Sequence, residues 1–308
     1  MKMKFCASVL AAAMVSIGAS SYANAADADY AVVLKVFSSE FWQTMKTGVE
    51  EEAKKQGITV DVYGANTEDD VEGQTTLVEN AVNKGYKGIA FAPISSDNLN
   101  PALAEATKKG IKLVNIDEMV NLEGLKALGG NIYGLVATDN VDVGYMGAKY
   151  LVEQIGGKGK VAIIEGKAGT ASGEDRKSGA TKAFEEVSSV ELVESQPADW
   201  DRTKAYDVMT NYISKYPDLA AVYCCNDTMA MGAQAAVTAS GKKILVCGTD
   251  GNSDAVESVK RGELAATVRQ LPANVGATGL QLLVEAVNAK TNPAEPKKVM
   301  VKAELVTK

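Results

Sequence analysis

A duplicated segment constrains this chain more than any other feature of its sequence. Residues 83–118 line up element for element with residues 214–251, that is, NKGYKGIAFAPISSDNLNPALAEATKKGIKLVNIDE with SKYPDLAAVYCCNDTMAMGAQAAVTASGKKILVCGTDG. Both segments follow the order strand, turn, helix, Lys-Lys, strand, and each reaches an Asp near its end, at Asp117 and Asp250. All α/β units share a general pattern, but this detailed order favours an internally duplicated α/β half-domain.

The first half of the chain alternates short apolar runs with amphipathic segments. In the segment after the first run, apolar residues recur at helical spacing (Phe41, Met45, Val49), and Gly57 ends the predicted helix. The remaining helices are predicted at 70–84 and 99–109, and the strands at YAVVLKV (30–36), ITVDVYG (58–64), KGIAFAP (87–93) and IKLVNID (111–117). This βαβαβαβ order predicts a parallel sheet with helices on both faces.

The same alternation restarts in the second half. Strands are predicted at 159–166, 190–196, 219–227 and 243–250, and helices at 173–187, 202–215 and 228–240. A length of 308 residues is also what two domains of ordinary size require. We therefore expect two similar α/β lobes.

Composition excludes several classes of function. With 0 histidines, the chain contains no Ser-His-Asp triad, no Cys-His pair and no His-based metal site. A net charge of −7 argues against nucleic acid as a partner. No GxGxxG follows the first strand, GxxxxGK[ST] is absent, and neither 50–52 nor 69–70 has calcium-loop spacing, so both acidic runs are interpreted as solvated helix surface. We expect no metal and no cofactor.

The amino terminus is typical of a secretory signal peptide. Lys2 and Lys4 precede the apolar run FCASVLAAAMVSIG, and Ala23-Asn24-Ala25 fits the cleavage pattern. The signal is assigned to residues 1–25, so the mature protein starts near Ala26 and is exported and soluble.

Removal of this segment leaves three cysteines, at positions 224, 225 and 247. Their apolar, strand-like surroundings favour buried, unreactive thiols. A bridge between Cys247 and one of the other two is the alternative.

Polar and aromatic side chains follow the predicted strands at their carboxyl ends, where open parallel sheets bind ligands. The first half places Lys35, Ser39, Phe41, Trp42, Asp117 and Glu118 there, and the second half Arg176, Trp200, Asn226 and Asp250. If the lobes face each other, these residues converge on one cleft. Planar carboxylate, amide and guanidinium groups suit the vicinal hydroxyls of a sugar, and the aromatic rings suit its C–H faces. The site is therefore predicted to bind a sugar.

A glycosidase is the enzymatic alternative, with Asp117 and Asp250 as acid and nucleophile. We do not favour it, because Arg176 is expected to keep a neighbouring carboxylate ionised instead of raising its pKa. The predicted protein is a binding protein and not an enzyme.

Several motifs, in order along nearly the whole mature chain, resemble the exported sugar-binding proteins of bacterial ABC transporters in the ribose-binding group. They include AVVLK-x-x-S-x-x-FW, LVN-x-DE, VAIIEGKAG-x-ASGE, SQPADWDR, Y-C-x-NDTMAMG and QLPANVGATGL. The resemblance implies a periplasmic binding protein of type I, with two Rossmann-like lobes, a ligand cleft and three crossover strands. The crossings are expected near 138–139, 270–271 and 301–302. The implied lobes are 26–137 plus 271–301 and 138–270 plus 302–308.

The same resemblance extends the ligand-binding set to Lys35, Ser39, Phe41, Trp42, Asp117, Arg176, Trp200, Asn226, Asp250 and Gln270. Ser39-Glu40 stands where the family usually has Asn-Pro, and residues 175–177 also differ from the family pattern, so the exact sugar stays open. Glu118 is assigned to the rim or to a second layer of the site.

The implied ligand is a free monosaccharide, D-allose or a related aldose, delivered by a periplasmic monomer to a membrane permease. A receptor that presents another polyol or a sugar-like signal to a chemotaxis or sensor protein is the alternative.

Overall fold

The computed structural model describes residues 28–308, so the predicted signal peptide, Cys6 and the predicted start at Ala26 lie outside the described residues. In chain order, the strands are β1 (Tyr30–Val36), β2 (Val60–Ala65), β3 (Gly88–Phe91), β4 (Lys112–Ile116), β5 (Gly134–Thr138), β6 (Gly159–Glu165), β7 (Val190–Pro197), β8 (Leu219–Cys224), β9 (Leu245–Asp250), β10 (Ala266–Arg269), β11 (Lys297–Val301) and β12 (Glu304–Val306).

The helices are α1 (Glu40–Gln56), α2 (Val71–Lys84), α3 (Asn100–Lys108), α4 (Leu122–Ala127), α5 (Asn140–Gln154), α6 (Ala171–Glu185), α7 (Arg202–Lys215), α8 (Asp227–Ser240), α9 (Ser253–Arg261) and α10 (Pro272–Asn288). Helix α6 begins two residues before its predicted start, because Thr170 has the extended backbone of an N-cap. No helix within 28–308 is both long enough and apolar enough to span a membrane.

The strands form two six-stranded sheets with equivalent strand orders. The first has the order β2-β1-β3-β4-β5-β11 and the second β7-β6-β8-β9-β10-β12. All neighbours are parallel except β12, which runs antiparallel to β10. Strand β4 thus corresponds to β9, and β3 to β8, which is the duplication expected from the sequence. The predicted fold of two similar α/β lobes is confirmed.

The chain crosses between the two sheets three times. It leaves the first after β5 for α5, returns from β10 through α10 to β11, and crosses again from β11 to β12. These are the three passages expected near 138–139, 270–271 and 301–302. Each passage is short, so the sheets stay close together with a cleft between them.

Apolar side chains fill both faces of the first sheet. One face packs against α1 and α10 through residues such as Met45, Val49 and Leu280. The opposite face packs against α2 and α3, with Val78 and Leu103 fully buried. The second sheet shares one continuous core with its helices. Helices on both faces leave only the strand ends open to a ligand.

The three cysteines of the described chain are buried free thiols within the second core. Burial raises the pKa of Cys225 to about 12 and also raises the pKa of Cys224 and of Cys247. The interpretation as unreactive core residues is therefore the one that the structure supports, and the alternative bridge to Cys247 is not formed.

Candidate functional site

A cavity lies between the lobes at the carboxyl ends of strands from both sheets. Its empty volume is about 390 Å³, including its opening to solvent. Its lining consists of Lys35, Ser39, Phe41, Trp42, Glu68 and Asp117 from one lobe and Ser172, Arg176, Trp200, Asn226 and Asp250 from the other. The structure thus brings together all of the predicted site residues except Gln270.

Gln270 does not line this cavity but contacts a residue that does. It is almost fully buried at the second crossing, and its Nε2 donates a hydrogen bond to Asp250 Oδ1 at 2.8 Å. Its backbone N–H donates to the Asp250 carbonyl at 3.0 Å. Gln270 therefore orients a lining carboxylate, because both of its contacts are to Asp250.

Two residues that line the cavity were not predicted from the sequence. Glu68 follows β2, and its Oε1 accepts a hydrogen bond from Trp42 Nε1 at 3.0 Å. Ser172 follows β6 at the start of α6. Both residues follow the carboxyl end of a parallel strand, where ligand sites are expected. Glu68 was overlooked because it adjoins the acidic run at 69–70, which was interpreted as helix surface. Asp69 instead contacts Lys167 across the cleft, and Asp70 caps α2.

Asp117 and Asp250 both have positive φ, 58° and 121°, a conformation that is rare for residues other than glycine. Buried Asn115 holds the first of these turns: its Nδ2 donates to the Glu118 carbonyl at 2.7 Å, and its Oδ1 accepts from Val120 N at 2.9 Å. Such strain persists only where the surroundings compensate for it, and it commonly marks ligand sites.

The Asp117 carboxylate faces the cavity without a hydrogen-bond donor from any other described residue. Burial is the main cause that raises its pKa, to about 7, and the Glu118 charge adds to this, while Lys35 and Arg176 oppose it. A buried acceptor in this position is suited to hydroxyl donors of a ligand.

Arg176 is fixed by three partners within its own lobe. Its Nε donates to Asn140 Oδ1 at 2.8 Å, its Nη1 donates to the Cys225 carbonyl at 2.7 Å, and Nη1 lies 3.5 Å from Asp250 Oδ1. Arg176 lowers the pKa of Asp250, as predicted, but burial outweighs it and raises that pKa to about 6. The net shift is upward because the cavity excludes water from Asp250, and burial has a larger effect than the Arg176 charge.

Three aromatic rings form the apolar walls. Phe41 and Trp42 pack edge to face with centroids 5.0 Å apart, and Arg176 Cζ lies 5.8 Å from the centre of the Trp200 ring. Trp200 has a φ of 63° and lies on Gly166, where a Cβ would come within 2.0 Å of its ring. The glycine is therefore required for the position of this wall.

Two helix N-caps contribute polar groups to the cavity. Asn226 caps α8 by accepting from Met229 N at 2.8 Å, so its Nδ2 is left as a donor for a ligand. Ser39 is the N-cap of α1 but makes no side-chain cap hydrogen bond, which leaves its hydroxyl available. Donors, acceptors and aromatic faces together suit a small polyhydroxylated molecule.

Glu118 lies beneath the lining and is completely buried. Its carboxylate pairs with Lys35 Nζ at 2.8 Å and accepts hydrogen bonds from Ser172 N at 2.9 Å and Ser172 Oγ at 2.7 Å. Lys35 and these bonds hold the pKa of Glu118 below its ordinary value against the effect of burial. Glu118 thus joins the two lobes, a role that its place in the sequence did not indicate. No cluster of potential metal ligands occurs in 28–308.

Comparison with known proteins identifies the class. Residues 30–291 match the family described as periplasmic binding protein domain. The D-allose-binding periplasmic protein of Escherichia coli K12 is 54% identical over 264 residues, covering 85% of each chain. The ribose import binding protein of Bacillus subtilis 168 is 35% identical over 257 residues, covering 83% of this chain and 81% of the relative.

Solved structures agree with these relatives. An ABC transporter periplasmic solute-binding protein from Actinobacillus succinogenes 130z, with bound D-allose, has a TM-score of 0.84 and 36% identity, and covers 90% of this chain and 96% of its own. One from Agrobacterium vitis, with bound D-fucose, has a TM-score of 0.83 and 30% identity, over 91% and 95% of the two chains.

The chain belongs to the periplasmic binding protein family. The solved neighbours named above are solute-binding proteins of ABC transporters, each with a bound monosaccharide.

Proposed function

We propose that this protein binds a free monosaccharide, D-allose or a closely related aldose, between two lobes that close on it. The observation that carries the proposal is the composition of the cavity, with Asp117, Arg176, Asn226 and Asp250 among aromatic walls. Support comes from the D-allose named for both a 54% identical relative and a solved neighbour.

Affinity follows from many modest contributions. Each hydroxyl bonded in a dry cleft contributes roughly 1 kcal/mol net, and more where the partner is charged. About eight to ten such bonds, together with the aromatic walls, also have to offset the lost freedom of the ligand. We expect a Kd in the micromolar range or below, corresponding to about −8 kcal/mol or better.

The lobes are expected to move as the units 26–137 plus 271–301 and 138–270 plus 302–308. The ligand touches both only when they are closed, so binding selects the closed form. The three short crossings would serve as the hinge.

Export and partners complete the proposal. A cleaved signal peptide at 1–25 would deliver the protein to the periplasm as a monomer, where its closed form would engage the permease. Docking to a chemoreceptor would use that same closed form.

A ligand screen tests the proposal. Thermal-shift measurements over aldoses, polyols and furanosyl signal molecules should give one clear stabiliser, an aldohexose such as D-allose, which calorimetry should confirm at a stoichiometry of about one. A polyol or a furanosyl compound as the strongest ligand would favour the receptor alternative. Absence of stabilisation by any sugar would refute the proposal.

A further inference from the structure

Two helices of the second lobe begin without a side-chain cap of their own. Thr170 precedes α6 and Asn252 precedes α9, and neither side chain accepts a hydrogen bond from its helix. Thr170 Oγ1 instead donates to the Lys167 carbonyl at 2.6 Å. Five other helices of the described chain have an Asp or Asn cap, namely Asp70, Asn121, Asp139, Asp201 and Asn226.

Glutamates of the first lobe occupy both uncapped ends. Glu118 accepts hydrogen bonds from Ser172 N and Oγ at 2.9 and 2.7 Å, and Ser172 is the second residue of α6. Glu40 accepts from Ser253 N and Oγ at 3.1 and 2.8 Å, and Ser253 is the first residue of α9. Each carboxylate satisfies an N–H that has no partner within its helix, and it lies at the positive end of the helix dipole.

We propose that closure of the lobes is completed by helix capping across the cleft, with Glu118 as the dominant cap and Glu40 as an auxiliary one. Neither glutamate is part of the ligand cavity. In an open form, each would separate from its helix and water would solvate both partners. The two contacts therefore stabilise the closed form alone, and this inference rests on the proposed function.

The surroundings of the two glutamates determine which of them contributes more to closure. Glu118 is fully buried and also pairs with Lys35, which lines the cavity. Loss of the Glu118 charge would leave Lys35 buried and unpaired in the closed form. Removing one partner of a buried ion pair is strongly unfavourable. Glu40 is exposed, where water and salt screen such contacts.

The matched variants Glu118→Gln and Glu40→Gln test the proposal on the full-length mature protein with D-allose, or with the sugar selected by the ligand screen. For Glu118→Gln we expect affinity to fall by at least about 100-fold, through faster dissociation in stopped-flow measurements. For Glu40→Gln the loss should be no more than about fivefold.

Two further readouts separate capping from a general structural role. The melting temperature of sugar-free Glu118→Gln should stay close to that of the wild type, while its sugar-induced decrease in radius of gyration by X-ray scattering should be lost at wild-type saturating concentrations. Ser172→Ala, which keeps Glu118 and Lys35 paired, should weaken binding less than Glu118→Gln.

The outcomes separate this inference from the proposed function. Wild-type protein that binds no sugar refutes the proposed function. Sugar binding by the wild type, with equal affinity and closure in Glu118→Gln, overturns the capping inference alone. A Glu118→Gln protein that melts early but still closes normally would also overturn it, because Glu118 would then act within the fold and not in closure.

Discussion

Asp117 and Asp250 occupy corresponding places in the two lobes, at the carboxyl ends of β4 and β9, and both line the cavity with positive φ. The duplicated half-domain has therefore placed one strained carboxylate on each side of the ligand. Their other contacts differ: Asp250 has Gln270 and Arg176 as partners, whereas Asp117 receives no donor from another described residue. We infer that Asp117 depends more on the ligand for its hydrogen bonds.

Replacing Asp117 by Ala should abolish sugar binding without unfolding the protein. Two charged hydrogen bonds to ligand hydroxyls contribute about 3–6 kcal/mol together, so affinity should fall by at least about 100-fold. Calorimetry measures the affinity, and circular dichroism checks the fold. The exposed Asp142→Ala, on the outer side of α5, serves as the control and should bind as the wild type does. A folded Asp117→Ala protein with near-normal affinity would remove Asp117 from the site.

Intrinsic fluorescence should report binding directly. The chain has 2 tryptophans, Trp42 and Trp200, and both line the cavity. Closure around a sugar removes water from both indoles, so the emission should shift or change in intensity in a saturable manner. Trp42→Phe and Trp200→Phe should each retain part of the signal. A sugar that binds by calorimetry and leaves the emission unchanged would contradict the placement of both rings.

Sugar-free protein should close more readily as the pH falls. In the closed cavity the pKa of Asp117 is raised to about 7 and that of Asp250 to about 6, above the value of 3.8 expected in an open, hydrated cleft. Between pH 3.8 and about 7 the closed form therefore binds more protons than the open form. Its stability relative to the open form decreases as the pH rises through this range. X-ray scattering without sugar should give a smaller radius of gyration at pH 5 than at pH 8. Equal radii would argue against this linkage.

Gly166→Ala should weaken sugar binding by displacing Trp200. A Cβ at this position would overlap the indole ring, which cannot retreat without leaving the cavity wall. We expect affinity to fall about tenfold or more, comparable to loss of an aromatic contact. Trp200→Phe, with its smaller ring on the same glycine, should lose less. Wild-type affinity in Gly166→Ala would show that the wall adjusts freely.

Much of the architecture could be predicted from sequence, because strand and helix periodicities are local and the repeat shows that they recur in two lobes. The site followed from one topological rule, and Lys35, Asp117, Arg176 and Trp200 are all in the lining. The contact of Gln270 with Asp250 could not be predicted, since it depends on the path of the second crossing.

Contacts between the lobes could not be predicted from the sequence for a similar reason. Glu118 follows Asp117 directly, yet its partner Ser172 is 54 positions away and belongs to the other lobe. Spacing along the chain contains no information about such a contact. The upward shift of the Asp250 pKa was missed because it depends on exclusion of water, which is a property of the closed cavity.

The returning segment α10–β11 has a consequence for how the protein is made. Leu280 and Leu283 of α10 complete one core of the first lobe, and β11 forms the edge of its sheet. A nascent chain cannot assemble that lobe until almost all of it has left the ribosome. The interval during which the polypeptide stays unfolded is thereby prolonged, and an unfolded chain is the form in which a polypeptide can be threaded through a narrow translocation channel.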